Sequence, residues 1–138
     1  MRHYFLDTNV VIDFLTRRGA FAVPAAKLFE ASVLGKATLY VASLSFSNIN
    51  YVLRKENTLA ERIDKLTKLA RLVQIVSVDS HAVQAALASN FTDFEDALQY
   101  FAATAVPSIE AIVTRDPKGF RSSTLPVLTP TEAVAQSR

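Results

Sequence analysis

The 138 residues are 50% hydrophobic and 20% charged, a balance that excludes a disordered chain and leaves enough length to bury a core. The absence of cysteine excludes disulfides and thiolate metal sites, and no apolar run reaches the length of a transmembrane helix. With 15 Lys and Arg against 13 Asp and Glu the net charge is only +2, so charge alone does not separate a nucleic-acid binder from an ordinary solvated surface. No positively charged leader precedes an apolar stretch, so an intracellular, cytoplasmic protein without membrane contact is expected. No linker, repeat or low-complexity segment interrupts the chain, and one domain over 1–138 is predicted.

The elements alternate strand with helix, the pattern of a parallel α/β sheet. The first strand is His3 to Leu6, followed by a short helix from about Val10 to Leu15. A second helix is predicted from Pro24 to Leu34, with proline in its first turn and Gly35 at its stop. Thr38 to Ala42 is the second strand and Ser45 to Lys55 the third helix. Leu59, Ile63, Leu66, Ala70 and Val73 fall at helical spacing and mark a longer amphipathic helix. Gln74 to Val78 is a third strand, and Ser80 to Ala88 a helix capped by Asp79. Thr92-Asp93-Phe94-Glu95 has the form of a capping box and opens a helix to about Thr104. Ile109 to Thr114 and Leu125 to Leu128 complete five strands. Thr129-Pro130-Thr131-Glu132 is a second capping box, opening a final helix.

Four acids stand out against this frame. Asp7 closes an apolar strand, where an ionised carboxylate is costly unless a cation, a proton or a set of donors compensates it. Asp116 follows the fourth strand by two residues. Asp93 and Asp96, three apart in a first helical turn, share a helix face. In a right-handed parallel sheet the strand ends and the following helix starts point to one rim, so three segments can aim carboxylates at a common point. Such oxygen ligands suit Mg²⁺ or Mn²⁺. Competing structural roles exist for each acid. Asp93 divides evenly between helix cap and site, Glu95 favours the cap, Asp13 a solvated or structural role, and Asp116 before Pro117 could form a turn.

Three segments, Phe5-Leu6-Asp7-Thr8-Asn9-Val10-Val11, Asp93-Phe94-Glu95-Asp96-Ala97-Leu98-Gln99-Tyr100 and Ile112-Val113-Thr114-Arg115-Asp116, occur in the order found in the PIN-domain family, which the chain resembles along essentially its whole length. That family includes the toxin nucleases of VapC-type toxin–antitoxin pairs. The resemblance implies a three-layer α/β/α sandwich around a mostly parallel sheet, a Mg²⁺ or Mn²⁺ site and endonucleolytic cleavage of RNA. It carries Asp7, Asp96 and Asp116 over as the acidic site, with Asp93 as a further candidate and Asn9 and Thr114 as residues that order the pocket. Asn48 stands where the family usually has Glu, which removes a negative charge from the site. A small antitoxin partner and a homodimer are also expectations from the resemblance.

Two functions follow. The first is metal-dependent hydrolysis of single-stranded or structured RNA, with Arg115 and Lys118 on the phosphate backbone. The second is a degenerate module that binds RNA or a protein without cutting, because Asn48 weakens the metal site. A haloacid-dehalogenase-like phosphatase also begins with a strand ending in Asp, but it needs a second Asp where this chain has Asn9.

Overall fold

The computed structural model describes all 138 residues. Its strands are β1 (Arg2–Leu6), β2 (Ala37–Ala42), β3 (Gln74–Val76), β4 (Ala111–Val113) and β5 (Val127–Leu128). Its helices are α1 (Thr8–Thr16), α2 (Ala22–Val33), α3 (Ser43–Leu53), α4 (Leu59–Leu72), α5 (Ser80–Leu87), α6 (Phe94–Thr104) and α7 (Pro130–Gln136). A 3₁₀ turn at Pro117–Phe120, absent from the sequence reading, follows β4. The strands form one sheet in the order β3-β2-β1-β4-β5, and every pairing is parallel.

Tyr4, Phe5 and Leu6 are all fully buried, because helices cover both faces of a parallel sheet. Successive side chains alternate between the faces. Tyr4 and Leu6 enter the core shared with α1, α2, α3, α4 and α7, whereas Phe5 enters the one built with α6. The result is the three-layer α/β/α sandwich implied by the sequence, with a sheet that is wholly parallel.

The chain builds β1, β2 and β3 outward in one direction, then returns to lay β4 against the other side of β1. The strand order therefore reverses between β1 and β4. A crevice opens beyond the carboxyl ends of strands at such a reversal. Asp7 and the segment Thr114–Asp116 both lie at that point.

Several boundaries differ from expectation for identifiable reasons. Helix α1 starts at Thr8 rather than Val10, because Asp7 already occupies the N-cap position with an extended backbone. Strand β3 stops at Val76, and the Val78 N–H donates to the Ser43 hydroxyl instead of a strand neighbour. The capping box expected at Thr92 is not formed. Asp93 is the N-cap of α6, its Oδ1 accepting the Asp96 N–H at 3.0 Å, which leaves Glu95 free of any capping role. The box at Thr129 and Glu132 is formed as expected. A further box at Thr58 and Glu61 opens α4.

Because Phe5 is wholly enclosed between the sheet and α6, Phe5→Ala is expected to cost about 3–5 kcal/mol in unfolding free energy, read from the urea midpoint at unchanged slope.

Candidate active site

Asp7 is only 6% exposed. Its backbone N–H donates to the Val113 carbonyl at 2.9 Å, which ties the end of β1 to the end of β4. Its side chain does not cap α1. Instead Oδ1 accepts the Gln99 amide N–H at 3.0 Å and Oδ2 accepts the Thr114 hydroxyl at 2.8 Å. Both donors are fully buried. A buried carboxylate with a donor on each oxygen stays where folding puts it.

These donors are themselves held. Gln99 Oε1 accepts the Thr8 N–H at 3.2 Å and the Thr8 hydroxyl at 3.3 Å, so its amide has one orientation. The Thr8 and Ser45 hydroxyls share a hydrogen bond at 2.7 Å, which brings in α3. Thr114 Oγ1 accepts the Asp116 N–H at 3.1 Å and so couples Asp7 to the segment carrying Asp116. One buried polar network thus joins α1, α3, α6 and the end of β4.

Above Asp7 lies a cavity of about 500 Å³ whose wall includes Asp7, Asp93, Asp96 and Asp116. The structure therefore brings all four sequence-predicted acids to one place. Asn9 and Asn48 line it too, as does Glu95, which the sequence had assigned to the helix cap. Thr114 does not line the cavity but is bonded to Asp7 and Asp116, which do. Arg115 and Lys118 do not line the cavity. The Arg115 guanidinium lies 3.6 Å from Asp13 and 4.7 Å over the Phe21 ring, while Lys118 is exposed on the 3₁₀ turn. Asp13 is buried against Arg115, so its role is structural and not that of a solvated acid.

Burial and mutual repulsion push Asp96, Asp7 and Glu95 upward. For Asp96 burial is the leading cause, followed by the charges of Asp7, Asp93, Glu95 and Asp116, and together they raise it to about 7. Burial also raises Asp7, against the opposing effect of the Thr114 and Gln99 hydrogen bonds. Glu95 is raised by burial and then by Asp93 and Asp7, while the Asn48 amide favours its ionised form. Oxygen donors under this repulsion are the chemistry that hard divalent cations prefer. Asn9 Oδ1 is buried without a hydrogen-bond partner, one more oxygen with acceptor capacity to spare at this wall. No three His, Asp or Glu side chains close around a single point, so the set suits a largely hydrated ion rather than an all-protein cage.

Gly119 bounds Asp96 from the 3₁₀ turn. A Cβ built there would stand 2.6 Å from Asp96 Oδ2, so the absence of a side chain is what admits the carboxylate.

The match to known proteins agrees with this geometry. A family model described as PIN domain matches residues 3–118. The chain belongs to the PIN-domain family. Among solved PIN-like structures it is similar to a toxin–antitoxin complex from Klebsiella pneumoniae, with a TM-score of 0.68 and 18% identity over 94% of this chain and 98% of that one. It is similar to VapBC2 from Rickettsia felis, bound to a DNA fragment from its promoter, with a TM-score of 0.63 and 16% identity over 92% and 98%. It is also similar to Mycobacterium tuberculosis VapC20, described as a sarcin-ricin loop cleaving toxin, with a TM-score of 0.60 and 15% identity over 79% and 86%. At these identities the likeness concerns the fold. No curated protein sequence matches the chain.

Four contributors to this PIN-domain site escaped the sequence reading: Thr8, Ser45, Gln99 and Gly119. Gln99 left a trace, a polar residue three positions after Asp96 among the apolar Ala97, Tyr100, Ala102 and Ala103, all buried in α6.

The raised pKa of Asp96 has a defined sign in stability. Its carboxyl gives up its proton near 3.8 when unfolded and near 7 when folded, so the metal-free fold loses stability as pH rises between those values. In EDTA, Asp96→Asn is expected to stabilise the protein at pH 8 by ~1 kcal/mol or less, because the half-buried group is partly screened, and to lose that advantage below about pH 4. Thermal unfolding of both proteins across pH measures it.

Proposed function

We propose that this PIN-domain protein is a Mg²⁺- or Mn²⁺-dependent endoribonuclease and the toxin of a toxin–antitoxin pair acting in the cytoplasm. The observation that carries this reading is the meeting of Asp7, Asp93, Asp96 and Asp116, from three separate segments, at the strand-order reversal between β1 and β4. The RNA-cleaving description of one fold relative and the toxin–antitoxin descriptions of others support it.

Asp7 and Asp96 would hold the ion directly and Asp116 through water, and the ion would polarise a phosphoryl oxygen and offset charge developing on the leaving oxygen. Gln99 and Thr114 fix Asp7, so that ligand is oriented before substrate arrives. Asp116, together with Asp93, would orient the attacking water and accept its proton. Asn9 and Asn48 add neutral oxygens to the wall, and Thr114 keeps Asp116 in register with Asp7. Arg115 and Lys118, flanking Asp116 in sequence, would contact backbone phosphates, which position a strand without reading its bases. A small antitoxin protein and a second copy of the chain are the proposed protein partners. Exposed Val23, Val33 and Leu34 on and after α2 and Leu59 and Ile63 on α4 offer apolar surface for either.

The second reading, binding without cleavage, is favoured by the neutral Asn48 and by the absence of three acids closed on one point. Calorimetric titration with Mn²⁺ separates the two. The nuclease reading expects micromolar binding that disappears in Asp7→Asn, whereas the binding module expects weak uptake indifferent to that change.

Purified protein with Mg²⁺ or Mn²⁺ is expected to cleave single-stranded RNA, and Asp7→Asn to reduce the rate by at least about 100-fold. Equal cleavage by the two proteins would identify a contaminant and end the assignment. Gly119→Ala, by displacing the Asp96 carboxylate, is expected to lower cleavage by at least about tenfold while the melting temperature stays within about 2 °C of wild type.

A further inference from the structure

A chain of depressions leads away from the acidic cavity. Val52 forms part of its wall and also part of a second cavity of about 370 Å³, lined by Arg18, Lys55 and Lys65 among others. Thr16 and Lys65 border in turn a third cavity of about 510 Å³, which Arg17 and Lys68 also line. The three share walls in sequence, running from α3 past the carboxyl end of α1 to α4. The first is acidic and the next two are basic. Two of the cations are neutralised, Arg18 by Glu56 and Lys68 by Asp64 at 3.0 Å. Lys55 and Lys65 make no ion pair, so their charge is available to a ligand.

Tyr51 stands at the mouth where the acidic cavity begins, and 59% of it is exposed. The Arg54 guanidinium lies 3.9 Å from its ring centroid, covering one face and holding the ring in place. An aromatic ring kept open to water beside the acidic cavity, with unpaired cations beyond it, matches the way proteins hold unpaired nucleotide strands. Bases stack on such rings and the backbone follows the positive charge.

We infer that a single strand of RNA crosses the acidic cavity, lays one base on the Tyr51 ring and continues along the trough past Val52, with Lys55 and Lys65 contacting its phosphates. This rests on the endoribonuclease reading and adds the path of the substrate to it. An acidic peptide would also be drawn to the lysines, but it offers no planar base to the ring.

The chain contains no tryptophan, so Tyr51→Trp introduces a sole reporter at the mouth of the cavity. With Ca²⁺ replacing Mg²⁺, and intact RNA verified on a gel, an oligouridylate of about twelve nucleotides is expected to quench its emission. An abasic sugar-phosphate chain of the same length should bind without quenching. Paired replacement of Lys55 and Lys65 by Ala should weaken binding of the oligouridylate at least tenfold. It should also flatten the dependence of log affinity on log salt by about 1.4, roughly 0.7 for each phosphate contact to a single strand. Lys36→Ala, at the opposite end of the sheet, should change neither. Equal quenching by the abasic chain, or binding and salt slope untouched by the paired replacement, would overturn the inference. If RNA is cleaved by wild type and not by Asp7→Asn yet binds independently of Lys55 and Lys65, the trough alone is refuted. If wild type does not cleave RNA with Mg²⁺, the nuclease reading itself falls.

Discussion

The carboxylate of Asp7, buried and gripped by Gln99 and Thr114, is the constraint on which the rest of the site depends. An isolated charge in that position would cost several kcal/mol, and a bare apolar wall would push it to neutrality or out of the core. The protein meets the cost with two directed donors, each held by further hydrogen bonds. Because those donors come from α6 and from the end of β4, holding Asp7 also fixes the places of Asp93, Asp96 and Asp116. The geometry of the acidic cavity and the stability of the fold are thus built from the same bonds.

Topology explains why the bonds meet there. Reversal of strand order between β1 and β4 leaves the carboxyl ends of both strands beside an open crevice rather than under a crossing helix. The start of α6 faces the same crevice, and Asp93 caps it with its side chain while its carboxyl group still lines the cavity. Structural and site roles are therefore not alternatives at this residue. At Glu95 they are, and the cavity has the side chain because Asp93 has taken the cap.

Much of this was legible in the sequence because it follows from periodicity and from the cost of charge. All five strands and seven helices were foreseen, and an acid closing an apolar strand marked Asp7 without reference to coordinates. The errors lie where neighbours decide. Either Thr92 or Asp93 can cap the same helix, and only the packed backbone selected Asp93. Strand ends shortened where a side chain intercepted a strand bond, as Ser43 does at Val78. Gln99 and Ser45 looked like ordinary helix residues, since their importance comes from partners roughly ninety and forty positions away in the chain. Gly119 carries no signal at all until a neighbouring carboxylate is placed against it.

The single permitted orientation of the Gln99 amide reaches beyond Asp7. Its oxygen faces Thr8 and its nitrogen faces Asp7, so α6 is keyed to the start of α1 by a lock with polarity. Flipping that amide would set its nitrogen against the Thr8 N–H and its oxygen against the Asp7 carboxylate. The spacing between the acids of the two segments is consequently a property of the folded backbone, already in place before any ligand approaches, and its entropic cost is met once, during folding.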